Sequence, residues 1–130
     1  VIFLQNGKQV NIVDPLREFS IEVRGVARQT FPAMDMNVAL YRDGFHIASC
    51  HDGEQGTKLR EGPFVSRYKI GPDLLRPGRY TLGLGADQLN GNWVWGADVA
   101  TLDVSENLGG RNAHRVVGMV ALPYSSERIQ

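Results

Sequence analysis

Trp93 and Trp95 stand two residues apart in the stretch Asn90–Asp98, NGNWVWGAD, with Asp87, Asn90, Asn92 and Asp98 around them. In an extended segment that spacing puts both indoles on one face. Two aromatic rings flanked by amides and carboxylates suit a sugar, whose axial C–H faces are apolar and whose hydroxyls need polar partners. The competing reading is packing, because buried aromatic side chains usually dominate cores, with each indole N–H bonded internally.

Other chemistries are poorly served. The chain has no Gly-x-x-x-x-Gly-Lys-Ser/Thr loop, no Gly-x-Ser-x-Gly elbow, no His-Glu-x-x-His and no Cys-x-x-Cys. His46 and His51 are five apart on one expected strand, so without a bulge they face opposite ways and share no metal ion. His51-Asp52 at that strand's end is a better polar site for a sugar hydroxyl, against the plainer reading of a hydrogen-bonded strand terminus. A glycosidase needs two carboxyl groups roughly 5 to 9.5 Å apart. Asp52, Glu54, Asp87 and Asp98 qualify by type only, and no spacing pairs them. The single cysteine, Cys50, sits in strand-like alternation and reads as a small packed side chain, compatible with a reducing compartment. No metal, cofactor or catalytic set is expected.

The elements that position these residues read as strands. Pro77-Gly78 makes a tight turn. Arg79–Ala86 then alternates, with Tyr80, Leu82, Leu84 and Ala86 on one face and Arg79, Thr81, Gly83 and Gly85 on the other. The two outward glycines are expected to leave a bare strip of backbone open to a ligand or another chain. After a loop at Asp87–Asn92 and the tryptophan pair, Asp98–Ser105 forms the next strand.

Upstream, Val1–Gln5 and Gln9–Val13 flank Asn6-Gly7, the strongest short hairpin signal. Glu18–Val26 alternates with one wet face. Ala27–Asp35 reads as a connection, extended at Phe31-Pro32. Met36–Asp43 and Phe45–His51 form a hairpin about Asp43-Gly44, with Met36, Val38 and Leu40 inward and Asn37, Ala39 and Tyr41 outward. Asp52–Gly62 reads as an exposed loop. Pro63–Ile70 is a strand with Phe64, Ser66, Tyr68 and Ile70 on one side and Val65, Arg67 and Lys69 on the other, and Gly71–Leu75 reads as a single helical turn.

Beyond Glu106, Asn107–Asn112 is a glycine-rich joint. Ala113–Pro123 is a last strand, apolar on both faces and so expected to be buried on both. It either completes a central strand of its own sheet or is exchanged between two protomers.

Short strands, regular turns and no amphipathic helix of ten or more residues predict an all-β fold: an immunoglobulin-like or jelly-roll sandwich of eight or nine antiparallel strands. Its core should hold Phe19, Ile21, Val23, Val38, Leu40, Phe64, Tyr68, Ile70, Leu82, Leu84, Leu102 and Val104. At 130 residues it is one domain with a sizeable core. The chain opens at Val1 without Met or signal peptide and has no long apolar run, so a soluble piece of a longer polypeptide is expected. Fourteen basic residues balance 14 acidic ones and are scattered, which removes any global electrostatic case for nucleic acid or an anionic membrane.

The segments LYRDGFHIASCHD (Leu40–Asp52), PGRYTLGLGA (Pro77–Ala86), NGNWVWGADVATLDVSE (Asn90–Glu106) and Gly109–Pro123, in this order and spacing, resemble the C-terminal domain of the ATP-binding subunit (Wzt type) of polysaccharide ABC exporters. The resemblance spans Phe19 to Pro123. It implies a non-catalytic β-sandwich that binds finished, lipid-linked O-antigen polysaccharide at the cytoplasmic face of the bacterial inner membrane, often through its non-reducing end. It also implies an ATPase domain preceding this module, a membrane subunit as partner, and a homodimer formed in some members by exchange of the last strand. Family ligand residues lie on the outer face of one sheet and vary with the glycan. By type and expected facing the candidates here are Trp93, Trp95, Tyr41, His46, Arg67 and Thr81, then Asn92 and His51. The alternative from another class is a dimerisation or protein-docking module without glycan binding. An exposed aromatic strip with Asn and Asp would favour sugar, and a contiguous aliphatic patch would favour protein.

Overall fold

In the computed structural model, which describes residues 1–53 and 57–111 together with Gly118, Glu127 and Arg128, turn chemistry sets the first strands. Asn6 and Gly7 have φ of 52° and 73°, and Asp43 and Gly44 have 51° and 79°. Both pairs are the two left-handed residues that a tight hairpin needs, and Asn and Asp tolerate that region better than other side chains. The first pair joins β1 (Ile2–Gln5) to β2 (Lys8–Val10), and the second joins β5 (Phe31–Arg42) to β6 (Phe45–His51).

The other strands are β3 (Ile12–Val13), β4 (Phe19–Ala27), β7 (Thr57–Leu59), β8 (Gly62–Ile70), β9 (Gly78–Asp87) and β10 (Trp93–Val104). They form two sheets. The smaller runs β2-β1-β4-β8; the larger runs β3-β10-β9-β5-β6, with β7 paired to the start of β5. The expected all-β sandwich is thus what the structure shows. Its described strands number ten rather than eight or nine, because three of two or three residues are too short to alternate legibly. The sheets are antiparallel except that β3 runs parallel to β10.

The inner faces close over Phe3, Phe19, Ile21, Val23 and Tyr68 from the smaller sheet and Val13, Val38, Leu40, Tyr80, Leu82, Leu102 and Val104 from the larger. Each such aliphatic side chain is worth ~1.5–3 kcal/mol when fully buried. Ile70 and Leu84 pack against this core from partly buried positions, and Phe64 lies outside it at one open end. Two buried tyrosines anchor their hydroxyls, one of them, Tyr68, across the layers. Tyr68 Oη donates to Met36 O at 2.8 Å, and Tyr80 Oη donates to Arg76 O at 2.8 Å while Arg42 Nη1 approaches it at 3.3 Å. Burial, aided by the nearby Asp52 charge, pushes the Tyr68 phenol well above its ordinary value.

Several expected boundaries move. β5 begins at Phe31, so the connection read at Ala27–Asp35 shrinks to three residues. The loop read at Asp52–Gly62 is neither wholly exposed nor wholly loop, since Gly53 is buried and Thr57–Leu59 pairs with β5. Long-range pairing made those strands where local alternation was weak. Gly71–Leu75 is a turn and not a helical one: Asp73 has φ 57°, and its N–H bonds Pro15 O. Trp93–Val104 is one strand interrupted by a bulge between Gly96 and Ala100, where two pieces were expected. The joint is tied down as far as Arg111, whose guanidinium bonds Asp73. The last strand read at Ala113–Pro123, and its exchange, lie outside the described residues.

Candidate functional site

The outer face of the larger sheet is built by register. Tyr41 pairs with Thr81, and Thr81 with Thr101; Asn37 pairs with Gly85, and Gly85 with Trp95. These side chains therefore point away from the core, as period-2 alternation requires. Tyr41, Thr81 and Trp95 come together with Asp43, Gly44, Arg79, Ala97 and Asp98 to line an open cleft of about 590 Å³.

Trp95 owes its pose to a glycine. A Cβ on Gly83 would collide with Cζ2 and Cη2 of Trp95 and stand 3.1 Å from Cε2, so the indole lies down on the β9 backbone. In the same way the Asn37 amide occupies the space over Gly85. The strip expected to lie bare for a ligand is thus covered by the chain's own side chains, because a missing Cβ invites the nearest ring or amide to settle on the backbone. The platform for a ligand becomes the indole itself, which stays 41% exposed. Tyr41 meets its edge in a T-shaped contact with centroids 6.4 Å apart, and His46 lies 5.2 Å from the Tyr41 ring on the other side.

Arg79 Nε and Nη2 donate to Asp103 Oδ1 and Oδ2 at 2.8 and 3.3 Å. This bidentate pair holds the Asp103 carboxyl below its ordinary range. Asp43 and Asp98 both have φ of 51°: the first at the β5–β6 turn, the second inside the β10 bulge.

The remaining candidates go elsewhere. Trp93, 68% exposed, and Asn92 line a second, apolar cleft of about 570 Å³ at the open end of the sandwich, with Val26, Phe31, Phe64 and Val94. Arg67 belongs to β8 in the other sheet, remote from Trp95. There it and Arg24 clamp Glu22, whose side chain is only 2% exposed; Arg24 Nη2 is 2.7 Å from Oε2, and Arg67 holds Oε1. Those hydrogen bonds, from Arg24 first and Arg67 next, keep the Glu22 carboxyl below its ordinary value.

His46 and His51 correct one expectation. The register passes from Leu40↔Ala48 to Tyr41↔His46, so a bulge at Ile47 returns both imidazoles to the same outer face. Each is engaged locally, His46 Nε2 with Ser49 Oγ at 2.8 Å and His51 Nδ1 with Asp35 Oδ2 at 2.6 Å. Asp35 is buried and also accepts the Gly53 N–H, while Asp52 accepts the Met36 N–H at 2.8 Å and the Ser66 hydroxyl. His51-Asp52 thus serves as a bonded strand terminus. No group of three His, Cys, Asp or Glu side chains suited to a metal occurs among the described residues. Cys50 packs against the core, and burial pushes its thiol up.

Sequence reasoning missed Asp43 and Arg79. Asp43 read only as a turn residue, and Arg79 only as the wet face of a strand; sharing the outward parity of Thr81 was the signal for Arg79.

A two-sheet β-sandwich that turns an aromatic-floored cleft outward from its larger sheet is the class of module defined here. Its backbone matches the crystal structure of the C-terminal domain of Wzt with a TM-score of 0.76, over 98% of this chain and 80% of that one, at 14% identity. The chain has the fold of the Wzt C-terminal domain, as its motifs led one to expect. No family model matches the sequence, and no curated protein does. Among the described residues no helix is long and apolar enough to cross a membrane.

Proposed function

We propose that this domain is a non-catalytic carbohydrate-binding module that holds an O-antigen polysaccharide, by its non-reducing end, for an ABC exporter. The carrying observation is the Trp95 indole, seated over Gly83 and still 41% exposed within the cleft. Tyr41, Thr81, Asp43, Asp98 and Arg79 surround it with the hydroxyl, carboxylate and guanidinium groups that a sugar's hydroxyls need. The fold shared with the Wzt C-terminal domain supports the exporter context. In that context the module works on the cytoplasmic side of the inner membrane, joined to an ATPase domain beside a membrane subunit. It acts as a homodimer. In support of a second protomer, β3 covers only Asp103 and Val104 of β10, so the rest of that strand edge, beside the tryptophans, has no partner among the described residues. Two weak sites in one dimer would gain by avidity beside a membrane rich in ligand.

Titration with O-polysaccharide from the source strain, followed by tryptophan fluorescence and compared with polysaccharide from an unrelated strain, tests the reading. A saturable change with the cognate polymer alone is expected; no binding to either by the folded domain would overturn it. One observation favours a second reading, a protein-docking module. Val26, Trp93 and Val94, exposed by 72%, 68% and 69%, form an apolar patch at the open end. A folded dimer that binds no glycan would point there.

A further inference from the structure

We propose that the Trp95 cleft selects an uncharged sugar residue that offers vicinal hydroxyls, and rejects acidic sugars, through the free carboxylates of Asp43 and Asp98. The inference rests on the glycan-binding reading above and names the chemical class of its ligand.

Both aspartates line the cleft. Among the described residues neither carboxylate has an ion pair or a hydrogen bond, whereas the cleft's one cation, Arg79, is held bidentately by Asp103. The Arg79–Asp103 pair sums to no charge, so the two free aspartates leave the cleft negative. An ionised carboxylate only accepts hydrogen bonds. Two adjacent sugar hydroxyls can donate to its two oxygens at once, and bonds to an ionised acceptor are the stronger kind. With the ring's C–H face on Trp95, its rim hydroxyls would meet a carboxylate on the Asp43 side and another on the Asp98 side. A uronate or phosphate there would face two like charges. At about 5 Å in a solvent-open cleft each would weaken binding several-fold, so the pair costs about tenfold or more.

Asp43 and Asp98 each occupy the left-handed region at φ 51°. Asn is as well suited to that region as Asp, so Asp→Asn at either position removes the charge without disturbing turn or bulge. Asp98 in particular sits where the β10 register shifts, and the extra residues of that bulge carry Ala97 and Asp98 to the cleft. Re-aiming a side chain is what bulges beside sites commonly do.

The test uses O-polysaccharide from the source strain in three forms: carboxyl-reduced, oxidised at primary hydroxyls to uronate with the carboxylate content titrated, and periodate-cleaved at vicinal diols. Wild type should bind the reduced polymer, bind the uronate form at least about tenfold more weakly, and lose the periodate-cleaved form. The double variant D43N/D98N, with an unchanged melting curve, should bind the reduced polymer more weakly and show a uronate penalty of under threefold. Equal or tighter binding of the uronate form by wild type, full binding of the periodate-cleaved form, or an unaltered penalty in D43N/D98N would overturn the proposal while leaving glycan binding intact. No binding of any form by folded protein would overturn both.

Discussion

Replacing Gly83 by alanine would displace the platform without removing an aromatic ring. No left-handed φ is required at Gly83, so alanine fits the backbone, but its methyl would overlap Cζ2 and Cη2 of Trp95 and the indole must lift. A tryptophan presents up to roughly 250 Å². With Trp95 41% exposed, about 100 Å² of it is open, and a stacked pyranose would cover on the order of 60 Å². At ~25 cal/mol per Å² that contact is worth ~1.5 kcal/mol, about tenfold in affinity. Gly→Ala gains ~0.4–1 kcal/mol from the unfolded chain's lost freedom, which offsets part of the indole packing given up, so stability should change by no more than ~1–2 kcal/mol. Titration calorimetry with the cognate polysaccharide, beside a thermal melt, reads both. The expected result is about tenfold weaker binding for Gly83→Ala and for Trp95→Ala, with Trp93→Ala unchanged because Trp93 lines the other cleft. Wild-type affinity in a folded Gly83→Ala protein would refute the platform.

Arg67→Ala should lower the melting temperature, because it removes one of the two clamps on Glu22, yet leave glycan affinity untouched, since Arg67 is in the opposite sheet; a loss of affinity in the folded variant would return Arg67 to the site. Gly53→Ala should destabilise by ~1–3 kcal/mol, measured by urea titration, because its Cβ would press on Met34 O and approach Thr57 N to 3.3 Å, and backbone cannot step aside. Glu22 and Asp103 have carboxyls held below their ordinary values of 4.5 and 3.8. A group depressed in the folded state stabilises above its unfolded value and loses that contribution as pH falls through its folded value. Urea midpoints should therefore be level above about pH 5 and decline below 4.5, with a smaller decline in Arg67→Ala than in wild type.

Much of this architecture is written locally. Alternation from Arg79 to Ala86 and from Pro63 to Ile70 told which side chains face inward, and Asn6-Gly7 and Asp43-Gly44 placed two hairpins, because side-chain parity and turn geometry depend on neighbours along the chain. The outward facing of Tyr41, Thr81 and Trp95 was legible for the same reason. Which outward residues share a site was not, because that depends on which strands lie side by side. Arg67 has the correct parity in the wrong sheet. The bulge at Ile47 brought His46 and His51 to one face, because one extra residue reverses every side chain beyond it, and the two extra residues of the bulge after Gly96 carried Asp98 to the cleft. Sequence alone determined the alternating strands, the two tight hairpin turns and the candidate aromatic chemistry. Tertiary pairing, made of contacts between residues far apart in the chain, decided that Trp95 and not Trp93 joins Tyr41, and that Asp43 and Asp98 stand beside them.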